Sequence, residues 1–269
     1  MFNKIKDSFV RSGFADLFPG SPAPKAEKEA LDSGPSESDS SSTPAERAKT
    51  ESMKVESVKP VALTPQHLSQ VQWIAQAYGY KFTEREGNKG YTLNGNIEGK
   101  LCRFERGYPS RPYIRGIELR ARAELDLPPD IAFLLVNRTL KMNVHNNAQS
   151  GFADSVMASV DIEQPEEVLW MNLFSEVGIP NASERFASDY AVLAEEEQHA
   201  QLLCQPELMQ LLLTWPRYSA DRAFVLMLAR GKLYLRMRFI DDTFLLEHAL
   251  QAFTLAAKLA LQNADQFKR

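Results

Sequence analysis

Four histidines, two cysteines and an arginine-rich run are the groups whose types and spacing could do chemistry in this 269-residue chain. Glu196-Glu197-Gln198-His199 contains Glu-x-x-His, which on a helix sets a carboxylate and an imidazole on one side, as in di-iron bundles. Such a site needs the motif twice, and the residues three before His67, His145 and His248 are Thr64, Met142 and Leu245. No metal is expected, and the acids read as a helix start favoured by the peptide dipoles there. Cys102 and Cys204 have no Cys-x-x-Cys or Cys/His spacing, so they read as small buried hydrophobes of a reducing compartment. The chain contains no GxxxxGK[ST], GxGxxG or GxSxG, which removes the phosphate-cradling loops and the nucleophile elbow. No cofactor and no catalytic residue is assigned.

Charge segregation is the stronger signal. Lys100–Arg122 carries seven basic residues against Glu105 and Glu118, with Phe104, Tyr108 and Tyr113 interleaved. Arginines on the wet face of a strand, with aromatics near, bind phosphates or stack on unpaired bases. Arg103, Arg106, Arg111, Arg120 and Arg122 are the candidates. Residues 151–200 instead carry eleven acidic residues against Arg185 alone. A protein-binding face could be built from the same residues, and two structural arrangements explain them without any ligand. The basic and acidic stretches can be neighbours in one fold, or form a cross-strand ladder of mixed charge. A net charge of -4 does not favour nonspecific binding to nucleic acid. Asp154, Asp161, Glu163, Glu166 and Glu167 could also converge as the acidic pocket of a hydrolase-type enzyme.

The chain start is of another kind. Over Met1–Phe18, Phe2, Ile5 and Phe9 share one helical face, and Val10, Phe14 and Leu17 a neighbouring one. So short a helix is marginal in water and needs something to bury its phenylalanines. It is expected to dock on a protein partner or, peripherally, on a membrane surface, with packing on its own domain as the alternative. From 19 to 62 there is no aromatic residue, prolines recur, and Ser36–Thr43 is almost all serine and acid. That composition cannot offset the entropy lost on ordering, so a disordered tether is expected.

Elements able to position side chains begin at Thr64, an N-cap followed by Pro65 and by Leu68, Val71, Ala75 and Tyr78 on one face. Gly87–Gly90 predicts a hairpin turn after Tyr80–Glu86, and Asn94-Gly95 a second turn before Gly99–Arg106. Ile117 to Leu127 alternates apolar with charged residues over the longest stretch, and Pro128-Pro129 ends it. Ile131–Val136 reads as a buried strand, Val168–Phe174 as helix or strand, and Tyr190–Leu193 as a short strand. Helices follow over Glu195–Cys204 and Glu207–Trp215. A hairpin then turns at Arg230-Gly231 with Leu233, Leu235, Met237 and Phe239 inward, and Asp242 caps a last helix. Residues 63–269 are therefore expected to form an α+β domain, mainly antiparallel strands flanked by helices, with two halves at about 63–150 and 180–269 as the alternative.

No apolar run reaches the 18 or more residues of a membrane span, so no transmembrane segment is expected. The element order is similar, at the level of fold alone, to small chaperone-like α+β modules of bacterial cytoplasm. The expectation is a non-catalytic cytoplasmic adaptor or chaperone-like protein that recruits a protein partner through residues 1–18 and the α+β domain. A nucleic-acid or polyanion binder using residues 100–122 is the alternative, and an enzyme with an acidic pocket the third reading.

Overall fold

Thr64 caps the first described helix as its residue type dictates, its hydroxyl accepting the His67 N–H at 3.2 Å while Pro65 opens the helix. The computed structural model describes residues 63–154, 164–215 and 223–268. The chain divides into Met1–Met53 and Lys54–Arg269, and every described residue lies in the second unit. The docking segment read over 1–18 and the tether read over 19–62 lie outside the described residues.

Helix α1 (Pro65–Ala77) leads into β1 (Lys81–Glu84), β2 (Tyr91–Ile97), β3 (Lys100–Gly107) and β4 (Ile117–Glu124), a four-stranded antiparallel meander. Then come β5 (Phe133–Asn137), α2 (Arg138–Asp154), α3 (Glu166–Leu173), α4 (Glu184–Asp189) and β6 (Tyr190–Ala194). Helices α5 (Glu197–Leu203) and α6 (Pro206–Leu213), the hairpin β7 (Phe224–Ala229) and β8 (Lys232–Phe239), and α7 (Thr243–Gln262) complete the order. The strands form one antiparallel sheet in the order β1-β2-β3-β4-β8-β7-β5-β6. The protein is thus α+β, antiparallel strands flanked by helices. The sheet is continuous through the β4–β8 pair, and β5 lies between β7 and β6, strands far later in the chain.

One turn falls elsewhere than the sequence suggested. Asn94-Gly95 lies inside β2, opposite Arg103 and Cys102, and the chain reverses at Glu98-Gly99, both at positive φ. Gly95 has a packing reason instead: a Cβ there would stand 2.6 Å from the Tyr80 ring. The Arg230-Gly231 hairpin turn is present, and a Cβ on Gly231 would meet the Leu127 carbonyl at 2.4 Å. The ambiguous stretch Val168–Phe174 resolves as helix up to Leu173, beginning after Pro165, whose carbonyl accepts from Leu169 N at 3.1 Å, with Phe174 as the extended cap.

One sheet face holds the core. Leu93, Phe104, Ala121, Leu235 and Leu226 run across it and pack under α1, α5, α6 and α7. Phe104 meets Phe253 of α7 edge-on at 5.1 Å and Tyr80 at 5.5 Å. Asp242 caps α7, accepting from Phe244 N at 2.8 Å and Leu245 N at 3.1 Å. Among the described residues α7 is one helix long and apolar enough to cross a membrane by length and composition. Glu247 and Lys258 interrupt its apolar run, and most of the helix is buried in this core.

Candidate functional site

The other sheet face carries the charges, and strand register arranges them in rows. One row runs Lys81, Asn94, Arg103, Arg122, Tyr234, then Met227, Leu134 and Leu193. The next runs Thr83, Thr92, Glu105, Arg120, Arg236, then Val225, Val136 and Ala191. Period-2 alternation is therefore kept, but this is not a uniformly wet face. Glu105, Glu118, Arg120 and Arg236 are all buried. Burial of charges is tolerable only where each is paired and hydrogen-bonded.

The pairing forms a chain of contacts. Glu105 accepts from Arg85 and Arg120, with Arg103 at 3.5 Å. Glu118 accepts from Ser110 N at 2.7 Å, Ser110 Oγ at 2.9 Å and Arg236 Nη1 at 2.6 Å. Arg120 links the two carboxylates, its Nη1 lying 3.8 Å from Glu118. Glu167 of α3 closes the far end, accepting from Arg111 Nε at 2.5 Å and Tyr113 Oη at 2.6 Å, with Arg236 Nε at 4.0 Å. The β3–β4 loop and α3 are thereby clamped onto the sheet. This is the mixed charge ladder, and it joins the basic stretch to the acidic one.

Environment splits the neighbouring acids of α3. Burial would raise the Glu167 carboxyl, but the charge and hydrogen bond of Arg111, helped by Tyr113 and Arg236, hold it below the usual carboxylate range. Burial raises the Glu166 carboxyl, with Arg230 opposing the shift and Glu167 adding to it. Burial also pushes the Tyr113 hydroxyl well up, with Glu167 adding to the effect, so it donates rather than ionises. Every strong acid–base partner in this cluster is already taken by another, an arrangement suited to holding elements together.

The sequence candidates are distributed as follows. Phe2, Ile5, Phe9 and Phe14 lie outside the described residues. Arg103 and Arg122 share a row on the charged face; Arg103 keeps 43% of its side chain exposed, and Arg122 pairs with Glu124. Arg120 is buried in the ladder and Arg111 is bound to Glu167. Arg106 points to the opposite, core-side face, where its guanidinium grips Asp241 at 2.8 and 2.5 Å and donates to the Lys89 carbonyl at 2.9 Å. Of the acidic-pocket residues, Glu166 meets Arg230 at 3.4 Å and Glu167 is in the ladder. Asp161 and Glu163 lie outside the described residues.

The histidines and cysteines take structural places. His199 and Glu196 stand 3.5 Å apart, and among the described residues no three His, Cys, Asp or Glu side chains are grouped to hold an ion. His248 is buried, bonded to the Leu211 carbonyl at 2.9 Å and edge-on to Trp215 at 4.6 Å. Both cysteines are buried free thiols, and burial pushes the Cys102 thiol up to about 12.

Sequence reasoning passed over two features. Arg236 follows from the β8 alternation, because inward Leu235 and Met237 send it to the other face. Trp73 lies off the apolar stripe of α1 and is 67% exposed. That helix has no Asp, Glu, Lys or Arg along its 13 positions, and beside Trp73 its exposed residues are Pro65, Gln66, Ser69, Gln70, Gln72, Gln76 and Ala77.

The chain matches no family model, and no curated protein matches it in sequence. Among solved structures it is similar to the crystal structure of the mycobacterial trehalose monomycolate transport factor A, with a TM-score of 0.42 and 9% identity. That alignment covers 73% of this chain and 96% of the other, and at so slight a likeness nothing of that protein's role transfers to this one.

Proposed function

We propose that this protein is a non-catalytic interaction module that recruits a protein partner, with residues 1–18 as one contact and the α+β domain as another. The observation that carries the reading is Trp73, two-thirds exposed at the centre of an uncharged helix surface. Solvent-facing helix surfaces normally carry charge, whereas interface cores are depleted of it and enriched in tryptophan. The charged groups that could do acid–base work are instead held in the ladder. A cytoplasmic setting belongs to the same proposal and draws support from the free thiols at Cys102 and Cys204.

The test is affinity capture with the full chain, with Trp73→Ala, and with Phe2, Ile5 and Phe9 changed together to Ser. A defined partner retained by the full chain should be lost from both variants, by about tenfold for Trp73→Ala, while melting temperature stays unchanged. Retention of the same proteins by all three chains would refute the proposal. A chain beginning at residue 61 should keep its fold by circular dichroism.

A further inference from the structure

We propose that the open half of the charged sheet face docks an acid-rich segment of a partner protein, laid across β1 to β4 along the row Lys81–Asn94–Arg103–Arg122. The surface is separate from the outer side of α1, and the inference rests on the interaction reading only in taking the ligand to be a protein.

Charge carries the argument. On β1–β4 and the residue after β1, five cations (Lys81, Arg85, Arg103, Arg120 and Arg122) face three carboxylates, Glu105, Glu118 and Glu124. On the same face β8 adds Lys232, Arg236 and Arg238 and no carboxylate. Among the described residues of these strands, cations therefore outnumber carboxylates on one face of a chain whose total charge is -4. A low-dielectric wall on one side concentrates that field. The closed end lies under the β3–β4 loop and α3, but toward β1 the face opens. Lys81, Thr83, Asn94 and Asn96 are exposed there, and Arg85, Arg103 and Arg122 are partly so.

The chemistry of the open rows favours carboxylates over nucleic acid. Single-stranded bases need exposed rings to stack on. On this part of the sheet Phe104 is buried on the opposite face, Tyr234 is buried, and the Tyr113 hydroxyl is committed to Glu167; the one exposed ring of the arginine-rich stretch, Tyr108, stands in the β3–β4 loop at the closed end, off the row from Lys81 to Arg122. Leu101, opposite Asn96 in the adjoining row, is 68% exposed and gives an apolar contact beside the arginines. A segment that mixes Glu or Asp with a large aliphatic side chain matches both features.

The test is fluorescence anisotropy of the full chain against a labelled peptide of repeated Glu-Glu-Leu units, beside an oligothymidylate of equal charge. Saturable peptide binding should weaken roughly tenfold between about 50 and 300 mM salt. Arg103→Gln with Arg122→Gln should lower affinity at least about tenfold, and the exposed Lys81→Glu about threefold. Trp73→Ala should leave peptide affinity unchanged. Circular dichroism checks the arginine variant, and Lys81→Glu carries the test if that variant unfolds. Absence of saturable binding, full affinity in the folded variants, or tighter binding of the oligothymidylate would each overturn the proposal. Loss of peptide binding in Trp73→Ala would overturn the separateness of the two surfaces. A Trp73-dependent partner captured by a chain that ignores the peptide would remove this surface and leave the interaction reading standing.

Discussion

From β1 to β4 and β8, the face turned away from the main core is floored by arginine, glutamate, asparagine and threonine. On β7, β5 and β6 the same cross-strand rows continue as Met227, Leu134 and Leu193, and as Val225, Val136 and Ala191. Both halves reach deep burial, Glu118 and Val136 alike being inaccessible. They get there by different physics. The apolar half needs volume and shape, and burying a valine there contributes about 1.5–3 kcal/mol without reference to any one partner. The charged half gains little net free energy from its ion pairs, because their attraction must first offset lost hydration. What it gains is dependence on identity: Glu118 has value only while Ser110 and Arg236 stand where they do. The difference teaches that one half of this face sets the packing while the other fixes which loop and helix sit on it.

The largest effect should come from orphaning a charge. Glu118→Ala leaves buried Arg236 with only the longer 4.0 Å carboxylate contact to Glu167 and Ser110 without its acceptor, and should cost about 3–5 kcal/mol in urea denaturation. Glu118→Leu combined with Arg236→Met removes both charges and should cost far less, within about 1 kcal/mol of the parent. Equal losses in the single and double variants would mean the pair stabilises in its own right, and the contrast between the halves would collapse. Val136→Ala supplies the comparison from the apolar half, an expected loss of about 2 kcal/mol that no second substitution on the charged side restores.

How far this contrast was legible in the sequence depends on the residue. Alternation from Ile117 to Leu127 placed Leu119, Ala121 and Ala123 on the core side, and the structure has them there. The same alternation could not tell whether Glu118, Arg120 and Arg122 met water or each other, because a solvated charged face and a buried ladder share one pattern. Arg106 misleads by its type: an arginine suggests a wet face, yet period 2 puts it with Cys102 and Phe104 on the core side, where Asp241, 135 positions later, pairs with it. Helix α2 was illegible for a local reason. Leu140, Val144, Ala148 and Phe152 recur at i+4, but Met142 falls between them at strand-like spacing and Asn, Thr and His fill the rest, so the stripe is weak against its polar surroundings. Its place is set by distant partners, as Arg138 bonds Glu176 and the Ala187 and Tyr190 carbonyls. Gly95 read as a turn because a glycine demanded by a neighbouring ring leaves the same trace as one demanded by a turn.

A smaller effect tests how the ladder is tied to α3. Tyr113→Phe removes the 2.6 Å hydrogen bond to Glu167 and should cost about 1 kcal/mol at neutral pH. The sign of its pH dependence follows from the lowered Glu167 carboxyl. A carboxyl held below its unfolded value of about 4.5 contributes stability above that pH, and the contribution fades as pH falls through the folded value. The gap between parent and Tyr113→Phe should therefore be widest near pH 7 and narrow below about pH 4. Urea midpoints at the two pH values decide it, and a gap that widens in acid would show that Glu167 is not held ionised by its neighbours.

Glu166 should give the smallest change and the opposite sign. Its carboxyl is raised by burial, with Arg230 only partly compensating, so the ionised form is less at ease in the folded chain than in the unfolded one. A group of this kind favours folding below its unfolded value and loses that contribution as pH rises through the folded one. Glu166→Gln keeps the shape, removes the charge beside Glu167, and gives up the 3.4 Å contact with Arg230. At pH 7 the variant should match or exceed the parent by less than about 1 kcal/mol, and below about pH 4, where the parent's carboxyl is neutral in both states, the advantage should vanish. Two adjacent acids on one helix would then respond oppositely to removal. Glu167 lies in the ladder and is missed when its partners go, while Glu166 lies at its rim and is tolerated there. If Glu166→Gln were instead to lose as much as Tyr113→Phe, its pairing with Arg230 would outweigh its burial, and the ladder would extend one ion pair further along α3 toward the β7–β8 turn.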